Sequence, residues 1–218
     1  MIRHDRTAQA MAVALSTLAG YVDAIGFITL GGFFVSFMSG NSTRFAVGLV
    51  HGAPSAFLPL ALIGVFVAGV MLGSLVGHIA AARRRPAVLS LIAVLLAAAA
   101  LLGVAAPRLS AFVLALAMGA ENAVFERDGE VQIGLTYMTG TLVKFGQRAV
   151  GALLGGERWA WAPYLLLWLG LVTGALAGAI LFSRLGPGAL WIAAGAAAML
   201  GVVALRADQK MVHAEPRS

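Results

Sequence analysis

The chain has no cysteine, so neither a disulfide framework nor a thiolate metal site is available to it. Charge is scarce as well: 11% of the 218 residues are Asp, Glu, Lys or Arg, while 61% are apolar. An ordinary globular domain carries about 25% charged residues. The four histidines, His4, His51, His78 and His213, are scattered and show no metal-ligand spacing such as His-Glu-x-x-His. Neither a phosphate-binding loop nor a nucleophile elbow is present, so no cofactor and no standard enzyme class is indicated. The net charge of +6 is spread over the ends of apolar segments instead of one face, which is membrane anchoring and excludes nucleic acid as a partner.

What is present is hydrophobic length. The mean hydropathy is +0.93, and several runs can cross a bilayer, so the expectation is an all-α polytopic membrane protein. Arg3 and Arg6 precede an apolar run that continues past Asp23 to about Val50 without a cleavage signal, which reads as a retained first span. In order, the apolar runs cover Ala10 to Leu30, Phe33 to Val50, Ala56 to Ala82, Ala87 to Ala105, Leu109 to Phe125, Val131 to Val150, Trp161 to Phe182 and Gly188 to Leu205. Eight full crossings would put Arg83, Arg84 and Arg85 on the side opposite the termini, against the positive-inside rule. Six crossings plus two segments that dip in and return put Arg3, Arg6, Arg83 to Arg85, Arg148, Arg158, Arg206 and Lys210 inside, with Arg108 and Arg184 outside. Both termini are then cytoplasmic, 51–55 lies outside and 151–160 inside.

The two dipping segments carry matching octapeptides. "FMSGNSTR" (Phe37 to Arg44) returns one hundred positions later as "YMTGTLVK" (Tyr137 to Lys144). Around them "GYVDAIGF" at 20–27 is similar to "GAENAVF" at 119–125, and "GVMLGSLVG" at 69–77 to "GALAG" at 174–178. The chain therefore reads as a single membrane domain, 1–218, built from a first repeat over 10–105 and a second over 109–206. Three crossings per repeat is an odd number, so the second copy is expected upside down. Inverted repeats with broken helices are the usual build of secondary transporters.

Gly40 and Gly140 free the backbone, and Ser39, Asn41, Ser42, Thr139 and Thr141 are good helix N-cap types, so a half-helix is expected to start at each octapeptide. Such starts are tolerated in a membrane only where protein or water satisfies them, and their N–H groups suit an anion or a carbonyl-rich solute. The bland alternative is that small residues merely let helices pack closely. Arg44 and Lys144 follow one turn later; they either face the solute or snorkel to the interface. Asp23 and a counterpart, Glu121 or Asn122, are the other intramembrane polar groups, with coupling or purely structural roles open to them. Glu126 to Glu130 reads as a solvated loop. Glycines 69, 73, 77, 170, 174 and 178 form small-residue seams, and Trp159, Trp161 and Tyr164 an interfacial belt.

The stretches "GYVDAIGFITLGGFFVSFMSGN" and "YMTGT" resemble the YoaK-like family of small bacterial inner-membrane proteins, over nearly the whole chain. The resemblance implies a multi-pass inner-membrane protein and supplies no substrate. Three classes of function are left open. One is a transporter or channel for a small polar, anionic solute held between two half-helix N-termini near mid-membrane. Another is a non-transporting scaffold or regulatory subunit. The third is an intramembrane enzyme built on Asp23 with Glu121 or Tyr137. The paired broken helices favour the first, and so small a chain suits a homodimer.

Overall fold

The computed structural model describes residues 6–127, 130–131 and 134–214. Arg3 and His4, named above, and residues 128–129 within the Glu126 to Glu130 stretch lie outside them. Among the described residues there are eight α-helices, one for each apolar run: α1 (Arg6–Thr29), α2 (Met38–Val50), α3 (Phe57–Ala80), α4 (Arg84–Ala105), α5 (Pro107–Glu121), α6 (Met138–Leu153), α7 (Ala162–Leu185) and α8 (Leu190–Ala214). A tight helical turn, Asn122–Phe125, extends α5, and a two-residue antiparallel pairing of β1 (Glu126–Arg127) with β2 (Glu130–Val131) follows it. Pro59, Pro86, Pro107 and Pro163 all fall in the first turn of a helix, where the missing N–H has no intrahelical partner to lose.

Four stretches are long and apolar enough to cross a membrane: Thr7–Thr29, Phe57–Ala105, Pro107–Phe125 and Ala162–Ala207. The second and fourth, 49 and 46 residues long, each hold two helices joined by a tight turn. At those turns Ala81 (φ 46°) and Gly186 (φ 56°) take left-handed backbone angles. Only a residue without a β-carbon does so freely, so Ala81 is held there by the chain around it.

Glycine decides how the long helices pair. Gly170, Gly174 and Gly178 of α7 lie against the backbone of Val13, Thr17 and Tyr21 of α1, and Gly20 of α1 lies against the carbonyl of Leu171. Residue numbers rise together on the two sides, so α1 and α7 are parallel. The same device joins α3 to α5: Gly69 and Gly73 meet Leu116 and Ala120, and Gly119 meets Phe66. Close backbone approach of this kind is the packing gain available where lipid is as apolar as the helices. The glycine seams expected from the sequence are therefore inter-helix contacts. α4 and α8 are antiparallel, with Gly201 by Leu89 at one end and Gly103 by Pro187 at the other.

A cavity of about 200 Å³ fixes the remaining directions. Thr29, Gly103 and Phe182, near the ends of α1, α4 and α7, line it together with Pro107 and Leu190 at the starts of α5 and α8. So α1, α4 and α7 run one way through the bundle, and α3, α5 and α8 the other. Polar groups inside are paired across helices: Ser16 donates to the Leu167 carbonyl at 2.9 Å, Tyr21 to that of Ala189 at 2.8 Å and Ser110 to that of Ala99 at 2.7 Å. Val67, Met71, Leu75 and Ile79 make an exposed apolar stripe along α3, the face that a bilayer covers. At 13 and 16 residues, α2 and α6 rise only about 20 and 24 Å and are shorter than a hydrocarbon core of about 30 Å. α2 lies on α3, with the Phe45 and Phe57 rings 6.1 Å apart, and α6 lies by the start of α7, with the Phe145 and Trp161 rings 6.0 Å apart.

Candidate functional site

The first break begins where α1 ends. Gly31 and Gly32 turn the chain with φ of 66° and 108°, and residues 33–37 double back along α1. Val35 drops into the notch that Gly26 leaves, and Asp23 Oδ1 accepts the N–H groups of Val35 and Ser36, both at 2.8 Å. Asp23 lies six residues before the end of α1, so the chain has returned roughly 9 Å into the bundle by this point. Asn41, fully buried, closes the loop from the other side. Its Oδ1 accepts the Phe34 N–H at 3.1 Å, and its Nδ2 donates to the Phe34 carbonyl at 2.7 Å. Asp23 and Asn41 therefore supply the partners that an unwound backbone lacks.

The second break is built on the same plan with weaker pins. Asn122 Nδ2 donates to the carbonyls of Met118 and Gly119 at 3.1 and 3.4 Å, and its Oδ1 accepts the Thr136 hydroxyl at 3.3 Å. Gly20 and Gly119 make equivalent contacts, which aligns Asp23 with Asn122 and Val22 with Glu121. The counterpart of Asp23, left open by the sequence, is thus Asn122. Glu121 stands in a place where the first half has valine, with 0% exposure and, among the described residues, no hydrogen-bond partner on either carboxyl oxygen.

The octapeptides start their helices earlier than the cap residues imply, two residues ahead of a start capped by Ser39 or Thr139. Phe37 and Tyr137 occupy the cap positions, without a side-chain cap, so Ser39, Asn41, Thr139 and Thr141 lie inside the first turn. Ser42 donates back to the Met38 carbonyl at 2.9 Å and Thr141 to that of Tyr137 at 3.2 Å. The cap expectation is corrected for a simple reason. A hydroxyl inside a helix finds the carbonyl one turn back before it finds a free N–H. Ser39, Ser42, Thr139, Gly140 and Tyr137 are exposed, whereas Thr141 is buried. Gly40 is covered by the Phe37 and Phe34 rings, while Gly140 has open space around it.

Arg44 and Lys144 are both exposed on this chain. The Arg44 guanidinium lies 5.9, 5.4 and 5.7 Å from the ring centroids of Phe27, Phe33 and Phe34, a cation–π setting that holds the charge without neutralising it. Beside it a cavity of about 300 Å³ is lined by Phe33, Thr43, Arg44, His51 and Ser55 among others. Among the described residues neither base has a carboxylate partner; the ion pair there joins Arg84 to Glu126 at 3.2 Å. Since α2 lies on α3 and α6 on α7, the two octapeptides do not form a helix pair with each other.

Two features escaped the sequence. The phenylalanine cluster around Arg44 was visible only as the adjacent pair Phe33 and Phe34. Glu126 is not a solvated loop residue: it is largely buried, takes the Ser74 hydroxyl as a donor and pairs with Arg84. A carboxylate next to other charges looks solvated in sequence, and only the approach of α3 and α4 shows otherwise.

No solved structure matches the chain significantly. A family described as "Protein of unknown function (DUF1275)" matches residues 11–203. The chain is also 39% identical over 214 residues to a protein of Rhizobium meliloti (strain 1021) named a UPF0700 transmembrane protein, covering 95% of this chain and 91% of that one. The helical bundle, its crossing-length apolar stretches and these matches, in keeping with the YoaK-like resemblance, place this chain in the DUF1275 family of transmembrane proteins.

Proposed function

We propose that the protein is a transporter or channel for a small polar, anionic solute. In this reading six helices cross the bacterial inner membrane, α2 and α6 are re-entrant, and 10–105 and 109–206 are inverted repeats with both termini cytoplasmic. The observation that carries it is the pair of breaks. Each half interrupts its helical path at the matching place, and helices α1 and α5 that lead into the breaks run in opposite directions through the bundle. That is the build in which transporters place a site at their broken helices. Because α2 and α6 pack on different neighbours, each half-helix start serves one end of the solute path. Arg44 and Lys144 supply positive potential at the two ends.

A second reading, a non-transporting scaffold or regulatory subunit, has its own support: Asp23, Asn41 and Asn122 spend their hydrogen bonds on this chain's own backbone and on Thr136. An enzyme is not proposed, and a homodimer suits either reading. The deciding experiment is a thermal-shift screen of the purified protein against small carboxylates, inorganic anions, nucleobases and neutral polar solutes. An anion that stabilises the parent, and stabilises Arg44→Gln or Lys144→Gln clearly less, supports the transport reading. A screen without hits, together with a stoichiometric partner chain in the purified protein, would replace it with the scaffold.

A further inference from the structure

Among the described residues both carboxyl oxygens of Glu121 are buried without a hydrogen-bond partner, and buried Arg84 Nη1 makes no well-aligned hydrogen bond, though it lies 3.2 Å from Glu126 Oε2. They lie at the same end of the bundle. Gly73 and Gly77 are one turn apart on one face of α3; Gly73 receives Ala120, and Gly77 receives the Arg84 side chain. Along α3, the Arg84 contact therefore lies one helical turn, about 6 Å of rise, beyond the contact made by Ala120, the residue that precedes Glu121. Its present ionic partner, Glu126, is held by the hydroxyl of Ser74 on that same helix.

We propose that Glu121 is a proton-binding site, and that Arg84 changes partner when the proton leaves. In the observed state the Glu121 carboxyl carries the proton, and Arg84 pairs with Glu126. An ionised carboxylate without a donor is among the most costly groups to bury, whereas a neutral acid is tolerated. On deprotonation the O–H bond breaks, the proton passes to solvent as hydronium, and the electron pair stays on the carboxylate. Arg84, at the same end of the bundle, then leaves Glu126 for it. The other charged or titratable groups on neighbouring elements do not compete. Asp23 of α1 is held by Val35 and Ser36, and Tyr21 by Ala189. His78 of α3 and Arg206 of α8 are exposed, and the Arg85 guanidinium of α4 lies 5.4 Å from the centroid of the Phe125 ring. A metal cation in place of the proton would need several oxygen ligands, and no group of three or more His, Cys, Asp or Glu gathers among the described residues.

This inference deepens the transport reading by naming the coupled ion, yet its test does not depend on any solute. Infrared spectra of the purified protein should show the carbonyl stretch of a protonated carboxylic acid at neutral pH. The band should disappear in Glu121→Gln and in Glu121→Val, and persist in Glu126→Gln and Asp23→Asn. Valine is the residue that the first half carries at this position, so Glu121→Val keeps the test open should the glutamine variant fail to fold. On raising the pH the band should fade. In Arg84→Gln it should persist to a pH about one unit higher or more, because the cation that favours the carboxylate is gone. A parent spectrum without the band, or a band unchanged in both Glu121 variants, overturns the proton site. Fading at the same pH in Arg84→Gln overturns the exchange of partners.

Discussion

Replacing Asp23 by leucine tests what holds the first break open. The substitution keeps roughly the same bulk and removes the acceptor for two N–H groups, those of Val35 and Ser36, both bound at 2.8 Å and both buried. A buried donor left without a partner costs about 1–3 kcal/mol, so the two together come to about 2–6 kcal/mol. Asp23→Asn keeps an acceptor and gives up only the charge. Hydrogen bonds to ionised groups are about twice as strong as neutral ones, which leaves a cost of about 1–2 kcal/mol. The assay is thermal unfolding in detergent, paired with amide hydrogen exchange over residues 33–41. The leucine variant should melt well below the asparagine variant, and the amides of Val35 and Ser36 should lose protection in it first. If Asp23→Leu melts with the parent and those amides stay protected, the carboxylate does not hold the break and the account of this site is wrong.

The glycine seams predict a contrast between two conservative changes: Gly174→Ala drives a methyl group into the Thr17 backbone and should cost about 1–3 kcal/mol. Gly195→Ala, in open space within α8, should be neutral or stabilising by up to about 1 kcal/mol; equal melting temperatures for the two would refute the seam. Ala81→Gly should raise the melting temperature, because a strained non-glycine residue in this region costs about 1–3 kcal/mol and glycine serves the matching turn at 186; a lower temperature would show that the turn is not strained. Single cysteines in a chain that has none should label from outside at 51–55 and from the cytoplasm at 151–160, and cytoplasmic labelling at 51–55 would end the re-entrant reading. Gly140→Val should be far milder than Gly40→Val, since phenylalanine rings cover Gly40 alone of the two; equal damage on expression and folding would count against this asymmetry.

The sequence by itself determined the solvent, the helix count and the places of interruption. Apolar runs long enough to cross a bilayer leave a backbone no option there but helix, so each run became one helix, and the polar octapeptides with Gly31 and Gly32 marked where the first path breaks. Local chemistry along the chain suffices for those features. It does not suffice for partnership. That Gly174 faces Thr17, that Asp23 matches Asn122 and not Glu121, and that Arg44 lies among three phenylalanines were decided by which helices came together. The cap assignments failed for a related reason: a hydroxyl chooses between a carbonyl one turn back and a free N–H according to where the helix begins, and Phe37 and Tyr137 set that two residues ahead of Ser39 and Thr139. Glu121 is the sharpest case. It stands near the end of its apolar run with charged residues just beyond, and only the packing of α5 against α1, α3 and α4 buries it, without a hydrogen-bond partner among the described residues, because burial belongs to the assembled bundle and is not written in any one helix.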